Sequence, residues 1–504
     1  MERTRAALAD PVLLGVALLT VIAAVLRFYR ISHQGFWFDE ANTSLEVHYS
    51  PGQMLTLIKH YESTPPLYYC VAWVWARVFG YGEVGLRSLS AVCGVLAVPV
   101  AYAAGTKLIS RRAGVIAAAL VAFNPLLIWY SQEARAYELV VLLTGATVLA
   151  FAYARADPSR WAVAAWVIAA GLALSTEYYA VLVVAPEALW LLYRHWRRRE
   201  LQIGLAVLVL WGIPLLWFAI SQNATGHAGW IAPIPLGPRL GQLIPQFLIG
   251  YGSPAQAVLT RVAEAAALFA LVLLAVRGDR VERDGALVAG GIALSGLVLN
   301  LLLIAGGIDD LITRNVISLW MPAALLIAGG LAVRRAGLAG IVATVVLCAI
   351  GATAAAGVAF DRNLQRPDWR GVARVLGARP AAGSSGRAIL VQHYRDLLPL
   401  SLYLPGLKFV RGSASAEVSE FDVVSISAPR VALCWWGAAC NLTPSTMQRS
   451  YPIPGFRVAW RRRAYQFTVL HMVATAGPVR ITRPAVSRVL RTTTLRRDEL
   501  LFQP

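Results

Sequence analysis

Charge is what this chain has least of. Asp, Glu, Lys and Arg make up 14% of its 504 residues, against about 25% in soluble domains. Apolar residues reach 58% where roughly 45–50% is usual, so the chain reads as an integral membrane protein. Cysteine and histidine are also scarce, at five and seven residues. Cys70, Cys93 and Cys348 fall in apolar stretches, where a buried thiol behaves as a small hydrophobe. Cys434 and Cys440 have no histidine nearby, which argues against a zinc site, and His195 and His227 are too isolated to suggest metal ligation.

What the chain has in quantity is uncharged length. Residues 88–106, 113–132, 201–226, 286–308, 315–333 and 336–360 each approach the ~17–25 residues of one helical crossing. The first apolar run, 11–26, follows Arg3 and Arg5 and is followed by Arg27-Phe28-Tyr29-Arg30 rather than by a small-residue cleavage pattern. It is expected to be an uncleaved anchor with a cytoplasmic N-terminus. Basic clusters mark cytoplasmic loops because Lys and Arg are retained inside during insertion. These are Lys107 with Arg111 and Arg112, Arg155 with Arg160, residues 194–199, residues 277–283, and Arg334 with Arg335. Placing all of them inside requires the short apolar stretch 67–80, which carries Arg77, to lie in the membrane interface. Spans then start near residues 11, 86, 113, 139, 161, 178, 201, 257, 286, 315 and 336, about eleven in all. An odd number puts the C-terminus outside, together with Asp39-Glu40, 59–66, 133–138, Glu177, 222–253 and 309–314.

From Asp361 the apolar runs shrink to strand length, at 388–391, 423–426 and 467–473, separated by Gly, Pro and Ser. Residues 368–376 carry apolar positions at helical spacing, so the tail should open with a helix followed by a strand. The expected organisation is a helical membrane domain over 1–360 and an extracytoplasmic α/β or α+β domain over 361–504. That tail holds 21 Lys and Arg against 8 Asp and Glu, so 13 of the net +19 charges lie in it. On an outer face such a balance points to lipid phosphates or an anionic glycan rather than nucleic acid, with an Arg-favouring composition as the plain alternative. Cys434 and Cys440 lie where disulfides are permitted and would close a short loop.

Four stretches resemble the GT-C superfamily of membrane glycosyltransferases, in the branch of protein O-mannosyltransferases and the bacterial aminoarabinose transferase. They are Asp39-Glu40; Ser63-Thr64-Pro65-Pro66-Leu67-Tyr68-Tyr69; the series Arg87-Ser88-Leu89-Ser90-Ala91, Arg111-Arg112-Ala113-Gly114, Asn124-Pro125 and Tyr130-Ser131-Gln132-Glu133-Ala134-Arg135-Ala136-Tyr137; and Asp368-Trp369-Arg370. The resemblance implies transfer of a sugar from a polyprenyl-phosphate carrier to a hydroxyl of an envelope lipid, glycan or protein, with other membrane lipids around it and no nucleic acid. Two departures leave the sugar open: Thr64 and Glu177 stand where relatives carry other polar residues, and Lys59 and His60 lie upstream of the proline pair.

Such a transfer needs a base for the acceptor proton and cations for the departing phosphate. Asp39 is the expected base. Its neighbour Glu40 points elsewhere, because successive residues do so in any regular backbone, and it would orient local structure or a cation. Lys59, His60, Glu133, Arg135, Tyr137, Glu177 and Arg314 are the candidates for donor and phosphate binding, since ionisable groups at span ends facing a cavity are functional by default. The bland reading is that they mark the water boundary, and Arg314 could instead pair with Asp309 or Asp310. No acidic cluster beyond Asp39-Glu40 demands a metal, although room is left for a divalent cation. A transporter or flippase for polyprenyl-linked intermediates, or an assembly scaffold, is the alternative, but matching broken-helix halves are not evident.

Overall fold

The computed structural model describes residues 10–226, 229–391, 397–410, 414–426, 453–490 and 499–504. The Cys434–Cys440 pair and His227 lie outside them. The chain divides into two compact units, Met1–Ile31 with Ser44–Gly357, and Ser32–Thr43 with Val358–Pro504.

The first unit is helical: α1 (Pro11–Phe28), α2 (Phe38–Glu46, which begins in the second unit), α3 (Pro51–Tyr61), α4 (Leu67–Phe79), α5 (Glu83–Leu108), α6 (Arg111–Phe123), α7 (Pro125–Ser131), α8 (Tyr137–Ala156), α9 (Arg160–Thr176), α10 (Val181–His195), α11 (Arg199–Asn223), α12 (Leu236–Ile249), α13 (Gln256–Arg277), α14 (Arg280–Ala305), α15 (Trp320–Leu331) and α16 (Leu338–Phe360). Seven of these are long and apolar enough to cross a membrane, eight with the bent pair α6–α7, against the eleven expected. The rest of the expected spans are the short helices α9, α10 and α15. The stretch expected to lie in the interface forms α4, with Arg77 stacked on Trp73.

Side chains close the helix starts as the sequence suggests. Asp10, Ser110, Asn124 and Ser159 cap α1, α6, α7 and α9, and Asp279 with Glu282 forms a reciprocal capping box on α14. The 57° bend between α6 and α7 has a covalent cause. Pro125 has no N–H, so the carbonyls that end α6 lose helical partners. Arg27, fully buried in α1, fills the gap by donating to the carbonyls of Val121 at 2.9 Å and Ala122 at 3.1 Å. It was expected to flank the first span and instead sits inside it. Gly94 makes this arrangement fit, because a Cβ there would lie 2.6 Å from Arg27 Nε and 2.8 Å from Glu138 Oε2.

The basic loops meet one another at one end of this unit. Asp10 pairs with Arg111, Arg112 reaches the Gly337 carbonyl, Arg277 the Arg335 carbonyl, and Arg155 pairs with Asp284 while its carbonyl contacts His195. The Arg334 N–H donates to Glu282. Five clusters scattered over the sequence are thus one surface.

The second unit contains α17 (Trp369–Leu376), β1 (Arg387–Val391), α18 (Leu397–Ser401), β2 (Lys408–Phe409), β3 (Ser415–Val418), β4 (Glu420–Ile426), β5 (Phe456–Ala464), β6 (Phe467–Ala474), β7 (Val479–Thr482), α19 (Arg483–Leu490) and β8 (Glu499–Gln503). Six strands form a mixed sheet in the order β2-β8-β1-β4-β6-β5, with β1 and β4 parallel, and β3 pairs with β7 in a separate ribbon. One face packs Ile389, Val391, Val424 and Val469 against Trp369, Val372 and Leu376 of α17. The opposite face packs Ala388, Leu390, Phe421 and Leu470 with Val418, Ile481 and Val486. Covering both faces explains why β1 is an unbroken apolar run after Arg387 and is buried at every position.

Candidate active site

Within the second unit, residues 32–43 are held by the segment around the start of α17 and by Tyr403. Arg370 donates to the carbonyls of Ser32 and His33, the Arg366 N–H donates to Gln34 Oε1, and the Phe36 N–H donates to the Tyr403 hydroxyl. Gly35 is required where the segment crosses α17, since a Cβ would stand 3.1 Å from both Arg370 Cβ and the Tyr403 hydroxyl. This anchored segment delivers Asp39 and Glu40 into the first turn of α2. Glu40 is fully buried and turns back toward the Trp37 N–H at 3.5 Å, as a residue three positions into a helix does when it closes the start. Asp39 remains partly exposed.

Within the first unit, a cluster of ionisable side chains gathers at the ends of helices away from the basic loops. Arg135, in the turn between α7 and α8, makes a bidentate pair with Glu62, both N–O distances being 2.8 Å and both side chains buried. Its guanidinium also lies over the Tyr69 ring, 5.8 Å from the centroid. Glu46, at the end of α2, is buried beside this pair; burial and the Glu62 charge raise its pKa well above the ordinary value. Glu177 ends α9 and is buried; desolvation lifts its pKa to about 8, against the pull of Arg135 and Arg314. Both arginines therefore act on one carboxyl.

Tyrosines pack between these charges. The Tyr130 and Tyr137 rings are 4.4 Å apart, Tyr130 and Tyr251 share a hydroxyl–hydroxyl bond, and Tyr251 lies in the fields of Arg314 and the buried Glu133. Burial pushes the Tyr251 hydroxyl up to about 12. Arg314 sits over the Trp230 ring at 5.8 Å. It does not take the two aspartates near it in sequence: Asp309 forms a bidentate pair with Arg239 of α12 at 2.6 and 2.7 Å, and Asp310 accepts from the Tyr179 hydroxyl. Arg239 thereby fixes the loop that presents Arg314.

Of the sequence candidates, Glu133, Arg135, Tyr137, Glu177 and Arg314 are brought together. Lys59 and His60 take other contacts, Lys59 over the Trp217 ring at 4.4 Å and His60 to the Thr56 carbonyl at 2.7 Å. Sequence reasoning missed Glu62, Glu46, Tyr251, Arg239 and Gln222. Gln222 donates to the carbonyls of Ile58 and Thr64 and accepts from the Tyr178 hydroxyl, so it fastens the proline-pair loop to the residue after Glu177. The one available signal was the acidic Glu62, two residues before Thr64 and close to a motif that also needs a buried arginine neutralised.

Among the described residues, the group of three that could hold a metal ion is Glu420, Asp422 and His471, in the second unit. His471 Nδ1 lies 2.7 Å from Asp422 Oδ1, and the Arg387 positive charge acts on the same carboxylate.

Residues 63–220 match the family model described as dolichyl-phosphate-mannose-protein mannosyltransferase, a range that holds the proline pair, the bent span, Arg135 and Glu177. The crystal structure of ArnT from Cupriavidus metallidurans bound to undecaprenyl phosphate is similar over 91% of this chain and 97% of that one, at 15% identity and a TM-score of 0.53. The chain has the GT-C fold. The oligosaccharyltransferase of Archaeoglobus fulgidus in complex with Zn and sulfate is similar over 85% of this chain and 70% of that one, at 15% identity and a TM-score of 0.45. No curated protein matches in sequence. The family match takes in Glu133, Arg135, Tyr137 and Glu177 of the charge cluster, whereas Glu46, Glu62, Tyr251 and Arg314 lie outside the matched range.

Proposed function

We propose that the chain is an inverting glycosyltransferase that moves a sugar, a hexose or a pentose, from a polyprenyl-phosphate carrier to a hydroxyl of an envelope lipid, glycan or protein, on the outer face of the cytoplasmic membrane. In the step, the acceptor oxygen forms a bond to the anomeric carbon while its proton passes to the Asp39 carboxylate. The bond from the anomeric carbon to the phosphate oxygen breaks, and its electron pair leaves on the polyprenyl phosphate. Arg314 offsets that charge directly. Arg135, already neutralised by Glu62, orients the site and shares the field. No step is routed through a metal ion.

The observation that carries this reading is the meeting of the buried Arg135 and Glu177 with the half-buried Arg314 at the end of the helical unit away from its basic loops. Cations beside a buried carboxyl of raised pKa suit an anionic headgroup better than they suit structure alone. The basic loops at the opposite end favour an outward-facing site, because such loops stay inside. The test is product formation by purified protein supplied with a panel of polyprenyl-phosphate sugars and extracts of envelope acceptors. Carrier-dependent glycosylation that disappears in Asp39→Asn is expected. Transport of a labelled carrier across liposomes, with no transfer from any donor, would replace the enzyme with a flippase.

A further inference from the structure

The soluble unit has a row of arginines that the proposed chemistry does not use. Strand β5 is an outer edge of the six-stranded sheet, and it contains Arg457, Arg461, Arg462 and Arg463 with no acidic residue. All four are exposed, and among the described residues no carboxylate forms an ion pair with any of them. Arg462 is steadied over the Trp460 ring at 4.8 Å, and Arg463 Nε donates to the Tyr465 carbonyl.

The end of this strand is tied to the place where the chain leaves the membrane. Gln365 donates to the carbonyls of Val358 and Ala359, in the last turn of the final spanning helix. The Gln365 carbonyl in turn accepts from Gln466, in the turn between β5 and β6, and Gln466 also reaches the Arg362 carbonyl. The Tyr465 hydroxyl donates to Asn363, and Arg362 lies over the Tyr465 ring at 5.2 Å. Asn363 is three residues past Phe360, so even a fully extended chain keeps it within about 11 Å of the helix end. The nearby acid, Asp361, is turned onto Asn363. Arg362 and the turn after Arg463 are therefore held close to the end of that helix.

We propose that Arg362, Arg461, Arg462 and Arg463 form a membrane-docking edge that binds the phosphates of anionic lipid headgroups, holding the soluble domain down on the bilayer. A juxtamembrane arginine near an anionic surface adds roughly fivefold to association, and four acting together make the contact stable while remaining sensitive to salt. Guanidinium groups suit phosphate oxygens, and a span-end tether favours a lipid phosphate over a dissolved one.

The test is hydrogen–deuterium exchange on the full chain in nanodiscs of phosphatidylcholine, with and without phosphatidylglycerol. Backbone amides of 456–466 should exchange several-fold more slowly when phosphatidylglycerol is present, and high salt should remove the difference. The triple variant R461S/R462S/R463S should lose the protection and R461K/R462K/R463K should keep most of it, while unchanged exchange over 467–474 reports that the sheet remains folded. Equal exchange in the two bilayers overturns the proposal. So does protection by inorganic phosphate or a soluble anionic glycan in neutral nanodiscs without any by phosphatidylglycerol.

Discussion

Arg370 donates from one guanidinium nitrogen to two carbonyls far away in sequence, Ser32 at 2.9 Å and His33 at 2.6 Å. Two motifs at opposite ends of the chain, Asp368-Trp369-Arg370 and Asp39-Glu40, are thereby joined through backbone. The strand-containing C-terminal unit thus holds the backbone that leads to the proposed base. Arg370→Ala removes both bonds, each of a charged kind worth about 1.5–3 kcal/mol. Turnover should fall several-fold, and a cysteine placed at Gln34 should become more reactive to a soluble maleimide. Full turnover with unchanged labelling would show that the segment is held without Arg370.

The Glu62–Arg135 pair makes a different prediction, because both partners are buried. Removing one charge strands the other, at about 3–5 kcal/mol. Glu62→Gln should lower the melting temperature sharply, and Glu62→Gln with Arg135→Gln together should recover much of it without recovering activity. A double variant as unstable as the single one would mean that the pair is not the source of the loss.

Much of this was legible in the sequence. Uncharged runs announced the helices, the apolar run at 388–391 announced a strand, and Asp368 to Leu376 announced the helix before it. The approximate starts of the spans were legible too, but not their lengths, since α9, α10 and α15 fall short of a full crossing and only packing decides how they are used. Partnerships were not legible. Nothing local marks Glu62 as the acceptor for Arg135, 73 residues away, or Arg239 as the residue that takes Asp309. Arg27 misled for a physical reason: an arginine at the end of an apolar run normally marks water, but here the carbonyls left open by Pro125 provide it with buried acceptors.

Arg314 sits over the Trp230 ring and acts on the Glu177 carboxyl, and it is the proposed partner of the carrier phosphate. Arg314→Lys keeps the charge and loses the planar fork that fits phosphate oxygens. The expected result is a donor KM raised about tenfold, with kcat changed less and acceptor KM unchanged. An unchanged donor KM would move the phosphate away from Arg314.

Glu177 should leave a signature in stability against pH. Its folded-state pKa of about 8 stands above its ordinary 4.5 because burial penalises the charged form. A carboxyl raised in this way contributes stability that is fully present below pH 4.5 and is lost as pH rises through about 8. Wild type should therefore lose melting temperature from mildly acidic to alkaline pH, and Glu177→Gln, neutral throughout, should lose less. Parallel profiles for the two proteins would show that Glu177 is already ionised near neutrality.

The sharpest test falls on Asp39 and Glu40, adjacent in sequence and unlike in surroundings. Glu40 is fully buried and turned to the Trp37 N–H, a structural posture, whereas Asp39 is partly exposed on the same first turn. Asp39→Asn keeps the size and hydrogen bonding of the side chain but removes the basic oxygen. Folding should survive, donor binding should be unchanged, and turnover should fall by about 10² to 10⁴, the range of a general base. Glu40→Gln keeps an acceptor for the Trp37 N–H and should cost far less in turnover, although stability should drop by about 1 kcal/mol as a helix start loses a charged cap. A well-folded Asp39→Asn protein with near wild-type turnover would shift the base to another carboxyl, and Glu46→Gln would then be the variant to measure.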